Sequence, residues 1–241
     1  MKSVKANTRR ILRIIAGLMV IVVVYLAVAG VWAYAVTPAV VMRASAPRLL
    51  DLRSLPEGTV DILLRVEDPS FREHHGIDPF AKGQGLVTLT RALVQMLYLD
   101  RADLGGVAGG LQQMYRFVDR VAGPVDLGPD AMALVVDSRL GKTRQLQLFL
   151  QHVYMGRQGN RQVYGFPDAA RAYFRKDPRQ LSRREVVTLV AMMVGPTQFH
   201  PVRRPDALAE RVRRIERLLR GACQPRGVRD VYYPNCATAA R

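Results

Sequence analysis

Residues 66–78 read Val66-Glu67-Asp68-Pro69-Ser70-Phe71-Arg72-Glu73-His74-His75-Gly76-Ile77-Asp78. Two carboxylates stand side by side, with an aromatic ring and two imidazoles close behind. Transfer of a sugar to a hydroxyl needs a base that takes the hydroxyl's proton, and a partly buried carboxylate of raised pKa does this. The same pair of acids at the start of a helix has a simpler use, because it opposes the positive end of the macrodipole. The residue types alone leave both readings open.

Upstream, residues 14–42 carry no charge, and 14–32 are almost uniformly aliphatic. About 20 apolar residues suffice for a helix to cross a bilayer. Lys2, Lys5, Arg9, Arg10 and Arg13 precede the block with no acid among them. The positive-inside rule keeps that end in the cytoplasm and places the remainder outside. The expected layout is a basic cytoplasmic tail at 1–13, a transmembrane anchor at 14–36 and a linker at 37–56, punctuated by Pro38 and Pro47. A folded domain at 57–221 and a tail at 222–241 complete it. A signal peptide cut near Ala33-Tyr34-Ala35 is the rival reading, but its apolar core is usually about 7–15 residues. Either way the domain is exported, and the formal charge of +16 then suits anionic lipid or phosphorylated substrate, not nucleic acid.

Downstream the pattern is helical. Residues 87–99 have apolar positions at helical spacing, and 131–136 and 145–154 read as buried helices. Ser182 and Glu185 form a capping box ahead of an apolar run. Pro205 opens a helix carrying Leu208, Val212, Ile215 and Leu219, closed by Arg220-Gly221. Its Arg203, Arg204, Arg211, Arg213, Arg214 and Arg217 read as a basic face turned to solvent or lipid head groups. Residues 100–128 contain Gly105-Gly106 and Gly109-Gly110 and read as a mobile loop with one short helix. His152 and His200 read as structural. Cys223 and Cys236 flank a turn-rich segment and are expected to pair outside the cytoplasm.

The spacing Glu67-Asp68-x-x-Phe71-x-x-His74-x-Gly76 resembles the first motif of the family 51 glycosyltransferases, the transglycosylase domains of penicillin-binding proteins and their monofunctional relatives. Thr88-Leu89-Thr90 is similar to their second motif. Residues 142–156, Tyr164-Gly165, Ala169-Ala170-x-x-Tyr173-Phe174 and Leu181-x-x-x-Glu185 follow in family order, with Pro196 and Pro201 at the closing turn, so the resemblance covers about residues 60–220. It implies a mainly α, lysozyme-like transglycosylase domain behind an N-terminal transmembrane helix, anchored singly in the inner membrane with its catalytic part in the periplasm. The implied substrate is a lipid-linked disaccharide pentapeptide. The implied roles make Glu67 the base and Asp68 its polar neighbour, with Phe71, His74, Thr88, Thr90, Arg91 and Lys142 at the substrate.

Departures are local. Arg91, Ala92 and Gln95 stand where the family has two glutamines and a lysine, so Arg91 is the candidate for the diphosphate. The third motif is not recognisable, and Asp130 is the nearest candidate for its acid. Gln147 and Gln151 replace the usual Glu and Asn. No cofactor is required by this reading, and a divalent cation at the diphosphate is the open alternative. Cell-wall synthases are candidate partners. The remaining length leaves no room for a transpeptidase domain, so a monofunctional chain is expected. Two further readings stand beside synthesis: a non-catalytic scaffold that binds the lipid substrate or synthases, and a muramidase that cleaves the same polymer.

Overall fold

The computed structural model describes residues 2–237, without the side chains of residues 2–6 and Pro124. The side chains of Lys2 and Lys5 in the basic tail, and residues 238–241 of the C-terminal tail, therefore lie outside what is described. The first helix, α1 (Lys2–Ala44), is the one helix among the described residues long and apolar enough to cross a membrane. Side chains 7–24 are exposed all round. The uncharged stretch 14–42 extends about 44 Å at 1.5 Å per residue, more than the roughly 30 Å of a hydrocarbon core.

The helix does not give way to a linker at residue 37. It runs through Pro38 to Ala44, and its outer part belongs to the domain. Ala29, Trp32, Ala33, Val36 and Val40 recur at spacings of three and four, and all are buried. They pack chiefly on α5 (Gly128–Arg139). Trp32 Nε1 donates to Ala108 O at 3.0 Å, and the Thr37 hydroxyl meets that of Tyr98 at 2.9 Å. Hydropathy cannot separate a face that meets lipid from one that meets protein, and the outer part of this apolar run meets protein.

Helix α2 (Thr59–Glu67) buries Ile62, Leu63, Leu64 and Val66. It stops at Asp68 because Pro69 disfavours helical backbone in the residue before it; Asp68 has φ −157° and ψ 77°. Helix α3 (Leu89–Val94) is capped by Thr88, whose side chain accepts from Arg91 N, and continues as a π-helical turn over Gln95–Arg101. The glycine-rich stretch that reads as a loop is instead the 17-residue helix α4 (Gly106–Ala122). Gly109, Gln112 and Tyr115 form its buried face, while Val107, Phe117 and Val121 are exposed. Gly109 is needed for contact rather than flexibility: a Cβ there would collide with the Leu104 carbonyl.

Helix α6 (Lys142–His152) leads into the antiparallel hairpin β1 (Tyr154–Gln158) and β2 (Arg161–Tyr164), where Tyr154 pairs with Tyr164. The short α7 (Gly165–Ala169) follows. Helix α8 (Arg183–Met193) begins with the Ser182–Glu185 capping box, and α9 (Pro205–Leu219) packs on α8 and α2. The chain then reverses at Gly221 (φ 73°), and a disulfide joins Cys223 to Cys236. Among the described residues the fold is mainly α, with one small hairpin.

Candidate active site

Glu67 is the last residue of α2. The macrodipole explanation for the acid pair therefore fails on polarity, because the C-terminal end of a helix repels a carboxylate. Its side chain is 18% exposed, and Oε1 has no hydrogen-bond partner among the described residues. Arg211 Nη2 lies 3.8 Å away. Burial pushes the carboxyl up to about 7; the Arg211 cation opposes this and the Asp68 charge adds to it. Such a group is half ionised near neutral pH and suits proton abstraction.

Asp68, by contrast, is fully buried and spoken for. Its Oδ2 accepts from Leu89 N at 2.8 Å, and both oxygens stand 3.1 Å from His74 Nε2. Since His74 Nδ1 accepts from Gly76 N at 3.0 Å, the ring proton sits on Nε2 and is donated to Asp68. The Thr88 hydroxyl donates to Gly76 O at 2.6 Å. Gly76 has φ 98°, and a Cβ there would lie 2.5 Å from Ala133 O, so the position requires glycine. Asp68 thus clamps the start of α3 to the end of α2 and leaves its neighbour Glu67 facing out.

That outward face is a cleft of about 1140 Å³ whose lining includes Glu67, Thr88, Arg91, Arg101, His152 and Tyr164. Of the residues expected at the substrate, Glu67, Thr88 and Arg91 reach it. Phe71 is in the core, edge-on to His74. Thr90 is buried and donates to Gln145 Oε1 at 2.7 Å. Lys142 points its ammonium at His74 O (2.7 Å) and Asp137 (2.6 Å), 4.6 Å above the Phe71 ring. These three and His74 brace the wall from behind. Gln147 and Gln151 bond the Leu50 carbonyl and amide at 2.8 and 2.7 Å.

Arg91 and Asp130, both picked out as departures, meet each other: Nε stands 2.9 Å from Oδ1. Burial outweighs the Arg91 attraction and raises the Asp130 carboxyl. A second cation at the cleft, Arg101, was not singled out by the sequence. It lies 4.1 Å over the Tyr164 ring and 2.8 Å from His152 Nδ1. Among the described residues no group of three or more His, Cys, Asp or Glu side chains is placed to hold a metal ion.

A family model described as Transglycosylase matches residues 37–220. The chain belongs to the transglycosylase family. The mainly α, lysozyme-like fold class is that of the family. Penicillin-binding protein 1B of Haemophilus influenzae is 31% identical over 183 residues, covering 70% of this chain and 21% of that protein. Penicillin-binding protein 1B of Escherichia coli is 31% identical over 200 residues, covering 72% and 22%. That of Vibrio cholerae is 34% identical over 160 residues, covering 65% and 19%. The chain thus spans about a fifth of the length of these curated relatives.

In this transglycosylase domain the residue most misread from sequence is Arg211. It is not part of a solvated face: its side chain is 3% exposed. Nε donates to Ala191 O and Nη1 to Val231 O, each at 2.8 Å. The signal was present, because Arg211 shares the helical phase of Leu208, Val212 and Ile215 and so falls on the apolar side of α9.

Proposed function

We propose that this chain is a peptidoglycan glycosyltransferase that polymerises a lipid-linked disaccharide pentapeptide at the outer face of the inner membrane. One observation carries the reading: a desolvated carboxylate, Glu67, lines a cleft large enough for sugar rings, and its buried Oε1 has no hydrogen-bond partner among the described residues. In the proposed step Glu67 takes the proton of the acceptor's sugar hydroxyl. The freed oxygen attacks the anomeric carbon of the growing chain from the face opposite its lipid diphosphate. The new glycosidic bond forms as the bond to the diphosphate breaks, with inversion, and the diphosphate keeps the electron pair. Arg91 and Arg101 are the cations of the cleft that would meet that charge. Helix α1, with its apolar span and the basic residues before it, supports a single-pass anchor with the domain outside.

A second reading has a specific observation behind it. Arg91 is already paired with Asp130 and also donates to Asp126 O at 3.3 Å. A cation so engaged is a weaker ligand for diphosphate, which favours a scaffold that holds the lipid substrate without turning it over. Purified protein incubated with lipid-linked disaccharide separates the readings. Polymer from the wild type and a loss of about 10²–10⁴ in Glu67→Gln is the expected result. Lipid bound without polymer would establish the scaffold, and shortening of added glycan would establish a muramidase.

A further inference from the structure

The family match ends at residue 220, yet the chain beyond it returns to the site. Residues 223–236 form a strap closed on itself by the Cys223–Cys236 disulfide. Two backbone bonds tie it to the wall below the cleft, Gly83 N to Gly227 O at 3.0 Å and Gly85 N to Val228 O at 2.8 Å. A Cβ on Gly83 would lie 2.8 Å from the Pro225 ring and 3.0 Å from that of Tyr233, so the strap packs closely on this glycine.

The strap makes three contacts that bear on Glu67. The Tyr233 hydroxyl donates to Val66 O, the carbonyl one peptide before Glu67. The last carbonyls of a helix have no partner within the helix, and the strap supplies this one. Val231 O accepts from Arg211, the cation beside Glu67. The Tyr232 and Tyr233 rings lie 5.8 and 5.7 Å from the Arg211 guanidinium, and Val231 itself lines the cleft. Tyr233 is 2% exposed, so the strap also closes the back of the site to water.

We propose that this disulfide-closed strap is a working part of the transfer site, in which Tyr233 and Val231 position Glu67 and Arg211 and exclude water from the carboxylate. The inference rests on the reading of Glu67 as the base. Tyr233 acts through its neighbours and is a positioning residue. Closure of the Cys223–Cys236 bond then becomes a condition of full activity, met in an oxidising compartment. The charged and titratable groups around Glu67 are Asp68 on its own segment, Arg211 from α9 and Tyr233 from the strap.

The test uses the full chain in detergent micelles with 13C-labelled glutamate, the Glu67 signal being assigned by its loss in Glu67→Gln. Carboxyl titration and polymerisation are followed in four forms: oxidised wild type, reduced wild type, Cys223→Ser/Cys236→Ser and Tyr233→Phe. With the strap open, water reaches Glu67. Its titration midpoint is expected to fall toward the ordinary carboxylate range by about one pH unit or more, and kcat by about tenfold with KM within about twofold. Tyr233→Phe removes one hydroxyl and keeps the ring. It is expected to lower kcat in the same direction while circular dichroism stays that of the wild type. An unchanged midpoint and unchanged kcat in all three altered forms would overturn the proposal. If even the oxidised wild type makes no polymer, the transfer reading fails separately, and the titration midpoint alone decides whether the strap desolvates Glu67.

Discussion

Arg211 Nη2 stands 3.8 Å from Oε1 of Glu67, close enough to stabilise the carboxylate yet too far to hydrogen-bond it. Oε1 thus stays without a hydrogen bond among the described residues, while the adjacent charge limits how far burial raises the carboxyl's pKa. The rate of transfer should rise with pH through an acid limb centred near 7, as Glu67 becomes ionised. Arg211→Gln removes the opposing charge and should move that limb to higher pH. Arg211→Lys keeps a charge and should move it much less. Initial polymerisation rates across the limb check this, and equal limbs in the wild type and the Gln variant would refute it.

The same carboxylate should cost stability at neutral pH. Its folded pKa lies above the ordinary 4.5, so the folded state holds the proton more tightly than the unfolded one. Its favourable contribution is complete below the unfolded value and is lost as pH rises through about 7. Glu67→Gln removes this dependence. The variant should be more stable than the wild type at pH 8, by at most about 3 kcal/mol, with the gap closing toward pH 5. Thermal or denaturant unfolding at the two pH values measures it.

The Arg91–Asp130 pair predicts opposite effects from its two halves. Asp130→Asn frees the guanidinium and should strengthen binding of the lipid diphosphate. Arg91→Ala removes a charge-assisted contact and should weaken it, by roughly tenfold or more if Arg91 meets phosphate. Binding of a lipid-linked disaccharide by titration is the measurement, and salt should reduce the difference.

Asp68 should prove to be a fastening residue. Asp68→Ala leaves Leu89 N–H and His74 Nε2–H buried without their acceptor. At about 1–3 kcal/mol for each of the two unsatisfied groups, the loss is on the order of 2–6 kcal/mol. An unfolding midpoint that stays at the wild-type value would show that the clamp carries no stability.

The first motif was legible because its geometry is local. Within residues 68–76 His74 bonds both Asp68 and Gly76, so the contacts that close the segment lie a few residues apart. The caps were legible for the same reason: Ser182 and Glu185 lie one helical turn apart. Helix α4 is not legible in sequence because paired glycines signal backbone freedom, whereas Gly109 serves close approach to the Leu104 carbonyl. Lys142 was assigned to substrate because its type fits phosphate, but a lone charge has no direction in sequence, and here it turns to Asp137.

By itself the sequence determined an apolar span, a mainly helical domain and a glutamate beside an aspartate at the spacing of the first motif. Each of these depends on neighbours a few residues apart. Only the tertiary structure decided which of the two acids faces the cleft, that Arg91 meets Asp130, and that Arg211, Tyr233 and Val66 converge behind Glu67. Tyr233 bonds a carbonyl 167 residues away. Burial, and the pKa that follows from it, belongs to the packed chain, because the dielectric around a carboxylate is set by whatever folds over it.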